Sequence, residues 1–375
     1  MIEIYGTHNK AKVFTDTLDD ESRKQITHLC SLEYLKDSQI RFMPDVHAGA
    51  GCTVGTTLTI TKKVCPNFVG VDIGCGMEVV KISKDSPFVT NFDPVHFDRL
   101  VKQNIPMGMT TRKKEHRFAS LIDLGKLKCP EAQIDRARVS IGTLGGGNHF
   151  IEVNRDSEGN LYIVIHSGSR HLGLEIANYY QKKAWEALKD TGGVTKDTAY
   201  VEGQLYEDYI DDMIITQKFA SINRRAMMDI ILRGYSTRTD MDIPVMERFT
   251  TIHNYIFDGI LRKGAVSARE DEKFIVPINM RDGSLICVGK GNPDWNYSAP
   301  HGAGRLMSRR QAKDTFKMDD FQKSMEGIYS STVCKDTLDE CPMAYKSVDD
   351  ILSHIDETAT VLERIVPIYN CKAAE

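Results

Sequence analysis

The chain has 375 residues, of which 41% are hydrophobic and 27% charged, and its mean hydropathy is −0.33. This composition excludes a disordered chain and is sufficient for a large buried core. The formal net charge of −4 excludes a basic surface over the whole molecule, so a site for a polyanion must be a local groove.

The sequence does not begin with a signal-peptide pattern, and no apolar run approaches the roughly 20 residues that a membrane-spanning helix needs. We therefore expect a cytoplasmic protein without a membrane partner. The nine cysteines are irregularly spaced, which predicts buried thiols rather than a disulfide framework or a CxxC zinc site. Because we find no internal repeat and no linker, we expect one domain over residues 1–375.

The first forty residues predict a strand at Ile2–Tyr5 and a helix over about 21–34. Asp45 and His47 follow on an extended segment, where residues two apart face the same side. Two interpretations fit this pair, a structural hydrogen bond and a catalytic role.

The stretch 69–77 predicts a short buried strand that ends in a sharp turn. The turn carries Asp72 and Cys75, which are a hard oxygen donor and a soft sulfur donor three residues apart. Taken alone, the pair also fits a buried free cysteine beside a turn-forming aspartate.

Three later histidines lie in glycine-rich or apolar contexts at strand ends. His149 follows three consecutive glycines, whose backbone N–H groups suit a phosphate, and His166 ends a predicted strand at 161–165. His253 lies within an apolar run. With the turn at 72–75 these residues provide enough ligands for two metal ions that share a bridging ligand, the usual arrangement for phosphoryl chemistry. Zinc, manganese, iron and cobalt all suit such a donor set.

The rest of the sequence predicts helices that support the fold and one more reactive side chain. Long helices are expected over about 171–190 and 206–233, and an amphipathic helix over 348–364. His301 is flanked by Pro300 and Gly302, so it is sterically open and suits a nucleophile better than a metal ligand. These periodicities predict a mixed α/β (α+β) chain.

Seven segments resemble, in this order, motifs of the RtcB family of RNA-splicing ligases: MPDVHAGAGCTVG (43–55), VGVDIGCGM (69–77), LGGGNHFIE (144–152), HSGSR (166–170), RKGAVSAR (262–269), HGAGRLMSR (301–309) and MAYK (343–346). The resemblance extends over about 43–369, nearly the whole chain. It implies a single large RtcB-type domain with metal ligands at strand ends and flanking helices.

The resemblance also implies a GTP- and manganese-dependent RNA ligase. Such an enzyme joins an RNA 2′,3′-cyclic phosphate or 3′-phosphate end to a 5′-hydroxyl end, through a guanylylated histidine and an activated RNA-(3′)pp(5′)G end. The implied partners are these RNA ends, GTP and an activating protein. The implied role is RNA repair or tRNA splicing, and the compact chain favours a repair paralogue.

The family motifs assign roles to individual residues. One manganese ion would be bound by Asp72, Cys75 and His149, and the other by Cys75, His166 and His253. His301 would attack the α-phosphorus of GTP, and Asp45 would orient it. The expected nucleotide contacts are Asn148 at the α-phosphate, Glu152 at the guanine edge, and His149, Phe150, Ile151, His253, Asn254, Pro277, Ile278, Asn279, Met280, Ser284, His301, Gly302, Ala303, Gly304 and Lys372 around them.

Two departures from the family pattern affect the nucleotide site. Where many members have Pro-Gly-Ser-Met, this chain has Pro277-Ile278-Asn279-Met280, so a serine contact becomes Asn279, whereas Ser284 still matches. The usual Lys-Gly end is replaced by a longer tail, in which Lys372 takes the guanine-contacting role only if the tail shifts by three residues.

Other functions make different demands on the sequence. A metal-dependent phosphodiesterase or phosphatase would use the same ligands with water as nucleophile, and would not need His301. A lysine-dependent nucleotidyl transferase needs Lys-x-Asp-Gly, but Asp282-Gly283 is preceded by Met280 and Arg281. A non-enzymatic RNA-binding protein with a degenerate site would lack a ligand or the histidine nucleophile, and none is missing.

Overall fold

The computed structural model describes residues 1–239 and 243–373. The strands are β1 Ile2–Tyr5, β2 Lys10–Val13, β3 Ile40–His47, β4 Val54–Thr59, β5 Gly76–Ile82, β6 Phe150–Arg155, β7 Leu161–Ser167, β8 Val245–Ile252, β9 Asn254–Phe257, β10 Ile260–Lys263, β11 Ala265–Ser267, β12 Lys273–Asn279, β13 Gly283–Gly289, β14 Ser298–Pro300 and β15 Ala359–Lys372. The helices are α1 Asp20–Cys30, α2 Pro87–Thr90, α3 Pro94–Asn104, α4 Ile134–Ser140, α5 Arg170–Leu188, α6 Gly203–Thr239, α7 Arg309–Thr315, α8 Met318–Ser324 and α9 Val348–Leu352.

The strands form two large sheets and one small one, which confirms the expected mixed α/β fold. A six-stranded sheet has the order β1-β2-β3-β4-β10-β9, and a seven-stranded sheet has the order β12-β13-β15-β6-β7-β5-β8. Strands β11 and β14 pair separately, and β14 leads directly to His301. Among the named strands of the described ranges, β2 and β3 pair in parallel and the other pairs are antiparallel.

Several predicted elements are confirmed, with different ends. The predicted first strand is β1, and the two predicted long helices are α5 and α6. Helix α1 ends at Cys30, before the predicted end, and the backbone is extended at Leu32. Residues 33–35 form a separate 3₁₀ helix.

The prediction of a strand before Asp72 is wrong. A 3₁₀ helix at 66–68 is followed by a turn, in which Gly70 and Gly74 have φ values of 92° and 72°. Since this left-handed conformation suits glycine and ends regular pairing, strand β5 begins only at Gly76. The ligand-bearing turn therefore precedes a strand instead of following one.

The predicted C-terminal helix over 348–364 is also wrong. Helix α9 ends at Leu352, and from Ala359 the chain forms β15 between β13 and β6. The first half of β15 alternates buried and exposed side chains and contains Val361, Ile365 and Val366, a pattern that fits a strand better than a helix. A single-sequence helical interpretation could not include the two neighbouring strands that pair with it.

Helix α6 lies between two hydrophobic cores. Tyr209 and Met213 pack with α5 and the six-stranded sheet, whereas Met227 and Ile231 pack with α3 and strands β5, β6 and β7. The expected scaffold role of this helix is thus confirmed. In the part of the chain that the structure describes, no helix is both long enough and apolar enough to cross a membrane.

Candidate active site

Four ligand-bearing segments meet at one end of the seven-stranded sheet. Cys75 directly precedes β5, His149 precedes β6, and His253 follows β8, whereas His166 lies near the end of β7. In the antiparallel register Gly76 pairs with both Ser167 and Ile252, and Phe150 pairs with His166. The pairing of the strands therefore brings together residues that are far apart in sequence.

All five expected metal ligands come together at this position. Sγ of Cys75 lies 3.5 Å from Nε2 of His149 and 3.2 Å from Nε2 of His166. Oδ2 of Asp72 is 3.0 Å from Nε2 of His149, and the Nε2 atoms of His166 and His253 are 3.1 Å apart. The thiol and the three imidazoles are buried.

The tautomers of two histidines fit metal ligation. Nδ1 of His149 lies 2.9 Å from the carbonyl oxygen of Leu144, and Nδ1 of His166 lies 3.2 Å from that of Asn148. A carbonyl oxygen can only accept, so each Nδ1 carries a proton, and in the neutral imidazole Nε2 directs a lone pair at the other donor atoms. This is the usual orientation of a metal-bound histidine, and lone pairs that face one another at this distance favour a cation between them.

Burial sets the protonation states in the cluster. It lowers the pKa of His166 and of His253, with help from neighbouring histidines, so both imidazoles are neutral and able to ligate. Burial and the adjacent Asp72 raise the pKa of the Cys75 thiol. Burial also opposes ionisation of Asp72, but the hydrogen bond and positive charge of His149 in its protonated form outweigh burial and lower the pKa of that carboxyl. The thiol therefore needs a bound cation to ionise, whereas the carboxylate is already charged.

A glycine makes room for the Asp72 carboxylate. Oδ1 of Asp72 accepts a 3.1 Å hydrogen bond from the backbone N–H of Ser169, and a Cβ on the preceding residue, Gly168, would collide with the carboxylate. We expect Gly168→Ala to displace Asp72 and to weaken metal binding about 10- to 100-fold, the usual effect of disturbing the surroundings of a ligand. Gly125→Ala, at an exposed glycine far from the cluster in sequence, is the matched control. Unchanged metal affinity of Gly168→Ala, measured by titration, would contradict this role.

His301 and Asp45 form a hydrogen-bonded pair beside the expected metal ligands. Nδ1 of His301 lies 2.7 Å from Oδ2 of Asp45, which also accepts the backbone N–H of His301 at 3.2 Å. The carboxylate is fully buried, and the rings of His301 and His253 are 4.7 Å apart between centroids. Since Asp45 holds Nδ1, Nε2 of His301 is available to a substrate.

His301 lines a cavity that most of the expected nucleotide contacts share. Of those contacts, the cavity wall includes Asn148, Phe150, Glu152, Pro277, Ile278, Asn279, Met280, Gly302, Ala303, Gly304 and Lys372. His149 and His253 lie in the metal cluster instead. Ile151 packs into the core on the other face of β6, Asn254 hydrogen-bonds the Asp72 carbonyl and the Gly264 N–H, and Ser284 is buried on β13. The structure therefore does not bring these last three residues to the cavity wall.

Glu152 and Lys372 present an acceptor and a donor in this cavity. The Glu152 carboxylate accepts from the amides of Asn370 at 2.6 Å and Asn154 at 3.3 Å. Nζ of Lys372 is 2.9 Å from Oε2 of Glu340 and 5.0 Å from the centroid of the Phe150 ring. Strand β15 extends to Lys372, so its ammonium reaches the cavity despite the unusual tail.

Several residues of the wall were not among the expected nucleotide contacts. Arg305, Arg309 and Tyr345 line the cavity, and Glu340 accepts hydrogen bonds or ion pairs from all three as well as from Lys372. The first three lie inside the motifs HGAGRLMSR and MAYK, which was a usable signal. Glu340 carried no comparable signal.

Comparison with known proteins is consistent with this geometry. A family model described as tRNA-splicing ligase RtcB matches residues 25–127 and 120–373. The RNA-splicing ligase RtcB of Escherichia coli K12 is 29% identical over 385 residues, which cover 92% of each chain. The tRNA-splicing ligase RtcB of Aeropyrum pernix is 25% identical over 93% of this chain and 91% of its own, and the RNA-splicing ligase RtcB of Mycobacterium tuberculosis is 27% identical over 87% and 95%. This chain belongs to the RtcB family.

Proposed function

We propose that this protein is a GTP- and manganese-dependent RNA ligase that joins 2′,3′-cyclic phosphate or 3′-phosphate ends to 5′-hydroxyl ends. The observation that supports it best is the Asp45–His301 pair, which lies beside a buried thiol–imidazole–carboxylate cluster and opens into the same cavity as Glu152 and Lys372. We further propose that the chain works as one domain in the cytoplasm, and that an activating protein assists it.

In this proposal His301 is the nucleophile. Its Nε2 attacks the α-phosphorus of GTP, a P–N bond forms, and the bond to the leaving pyrophosphate breaks. Asp45 keeps the proton on Nδ1 and stabilises the positive charge that the imidazole gains during attack. Water first opens a 2′,3′-cyclic phosphate to a 3′-phosphate and a 2′-hydroxyl. The histidine then transfers GMP to the RNA 3′-phosphate, and the 5′-hydroxyl attacks that phosphate as GMP leaves.

The metal ligands divide into two sets that share the thiolate. Asp72, Cys75 and His149 would hold one manganese ion, and Cys75, His166 and His253 the other. Bound manganese would neutralise charge on the phosphate oxygens. The contribution of the chain itself is to orient the imidazoles, as the carbonyls behind His149 and His166 do, and to keep His166 and His253 neutral by burial.

We propose that the cavity binds guanine in preference to adenine. Guanine presents N–H donors on its N1 and N2 edge and a carbonyl acceptor beside them, whereas adenine presents a donor at N6. The Glu152 carboxylate can accept from the guanine donors, and the Lys372 ammonium can donate to the guanine carbonyl. Asn148, which directly precedes a metal ligand, is proposed to contact the α-phosphate.

The acidity of Glu152 leads to a prediction about pH. Burial, opposed by Lys372 and the two asparagine amides, raises the pKa of Glu152 to about 7. A carboxyl is charged above its pKa, and only the charged form accepts from both guanine donors. We therefore expect the KM for GTP to fall roughly tenfold between pH 6 and pH 8. In Glu152→Gln this dependence should disappear, and an equal dependence in both proteins would assign it to another group.

The direct test of the proposed function is incubation of the protein with manganese and α-labelled GTP or ATP, followed by a denaturing gel and acid treatment. An acid-labile label formed from GTP and not from ATP supports histidine guanylylation. Hydrolysis of a 2′,3′-cyclic phosphate without any label would instead indicate a phosphodiesterase. Ligation of broken tRNA halves compared with other cleaved RNAs then distinguishes tRNA splicing from RNA repair.

A further inference from the structure

Two neighbouring polar residues in the middle of α6 face the ligand end of the seven-stranded sheet. Asn223 and Arg224 are fully buried, although Met227 and Met228 on the next turn pack apolar side chains against the core. Buried polar side chains are retained when they make hydrogen bonds, and the partners of these two are informative.

Asn223 connects two ligand segments with one side-chain amide. Its Oδ1 accepts the backbone N–H groups of Gly142 at 2.8 Å and Thr143 at 3.1 Å, in the loop that leads to His149. Its Nδ2 donates to the hydroxyl of Ser167 and to the carbonyl of Gly168, both at 3.2 Å, just after His166. The amide therefore sets the distance between the two loops.

The connection continues to the imidazole of His149. The Ser167 hydroxyl donates to the carbonyl of Leu144 at 2.7 Å, and the same carbonyl accepts Nδ1–H of His149 at 2.9 Å. A chain of three hydrogen bonds thus runs from Asn223 through Ser167 and Leu144 to a metal ligand. Each member restricts the orientation of the next.

Arg224 reaches the third segment. Its Nη1 donates to the carbonyl of Gly74 at 2.8 Å and to the carbonyl of Ser167 at 2.9 Å, which places one nitrogen between the neighbours of Cys75 and of His166. Within the residues that the structure describes, Nε and Nη2 of this guanidinium have no hydrogen-bond partner. Burying a cation of this kind costs free energy, so its position between two ligand-bearing segments requires a reason.

We propose that Asn223 and Arg224 are positioning residues of the metal centre, which hold the backbone segments that carry Cys75, His149 and His166 so that their donor atoms converge. The inference rests on the metal centre of the proposed function and adds α6 to it. The helix then has two roles, because it fills the core and also determines the spacing of three ligands. Outer residues of this kind typically affect metal affinity 10- to 100-fold.

The test is a cobalt(II) titration of the metal-free protein, read by the thiolate-to-cobalt absorption band that reports ligation by Cys75. Arg224→Lys keeps the positive charge but cannot reproduce the guanidinium geometry between two carbonyls. We expect cobalt affinity to fall about 10- to 100-fold and the band to shift or weaken. The matched control is Arg225→Lys on the adjacent exposed arginine, which lies over the Phe118 ring and should leave affinity and band unchanged.

A milder variant keeps the test decisive if Arg224→Lys does not fold. Ser167→Ala removes only the hydroxyl that links Asn223 to the Leu144 carbonyl, and we expect it to fold and to weaken cobalt binding. The thermal unfolding midpoint of each metal-free protein shows whether the substitution lowers stability. Weaker cobalt binding at an unchanged midpoint then reports a change in ligand geometry. If Arg224→Lys folds and keeps the cobalt affinity and absorption band of the wild type, this inference is wrong but the proposed metal centre is not. If Arg224→Lys does not fold, the same result in Ser167→Ala has the same meaning. If the wild-type chain itself shows no thiolate band, the proposed metal centre fails and this inference fails with it.

Discussion

Replacing His301 by alanine is expected to abolish covalent labelling of the chain by α-labelled GTP, a loss of at least ~10⁴-fold in labelling rate. The reason is that Nε2 of His301 is the nitrogen that Asp45 leaves available beside the metal cluster. The metals should remain bound, because the ring is not needed as a ligand in either proposed set. Labelling is measured on a denaturing gel, and metal content is measured in parallel.

Two further variants sharpen this result. Asp45→Asn should slow labelling by roughly 10²- to 10⁴-fold without abolishing it, since a carboxylate behind a catalytic imidazole contributes orientation and charge rather than the bond itself. His354→Ala, at a histidine that contacts Asp16 and Ser353 on the surface, should label normally. Retained labelling of the His301 variant would overturn the assignment of the nucleophile.

Replacing Cys75 by alanine is expected to remove both metal ions. Sγ of Cys75 lies within 3.5 Å of Nε2 of both His149 and His166, so it is the donor atom common to both proposed sets. Without the bridging thiolate, each set would retain only two protein ligands, which is too few to hold a divalent ion tightly in a buried site. Metal content after gel filtration in manganese-containing buffer should fall from two ions per chain to none.

The control for this experiment is another buried cysteine. Cys287 lies in the core on β13, so Cys287→Ala creates a comparable small cavity without touching the metal cluster. It should keep both ions. If the Cys75 variant instead retains one ion at full occupancy, the thiolate does not bridge, and the division of ligands between the two ions must be revised.

The local pattern of the sequence was enough to select most of the residues that the structure brings together in the candidate site. Cysteine, histidine and aspartate were recognised as candidates because they lie in glycine-rich turns next to apolar runs. The same reasoning identified α5 and α6, whose apolar periodicity extends over many turns. It failed for 348–364, where a short helix is followed by a strand whose pairing partners are distant in sequence.

The sequence by itself determined the ligand types, the resemblance to the RtcB family and the long helices, since each of these depends on residues close together in the chain. The resemblance implied that Asp45 orients His301, and the tertiary structure places the two side chains in contact. Only the tertiary structure decided that Glu340 contacts the cationic side chains of the cavity wall, and that Asn223 and Arg224 connect three ligand segments. These contacts join residues up to 256 positions apart. Strand register and helix packing create them, and neither produces a local periodicity that a single sequence reveals.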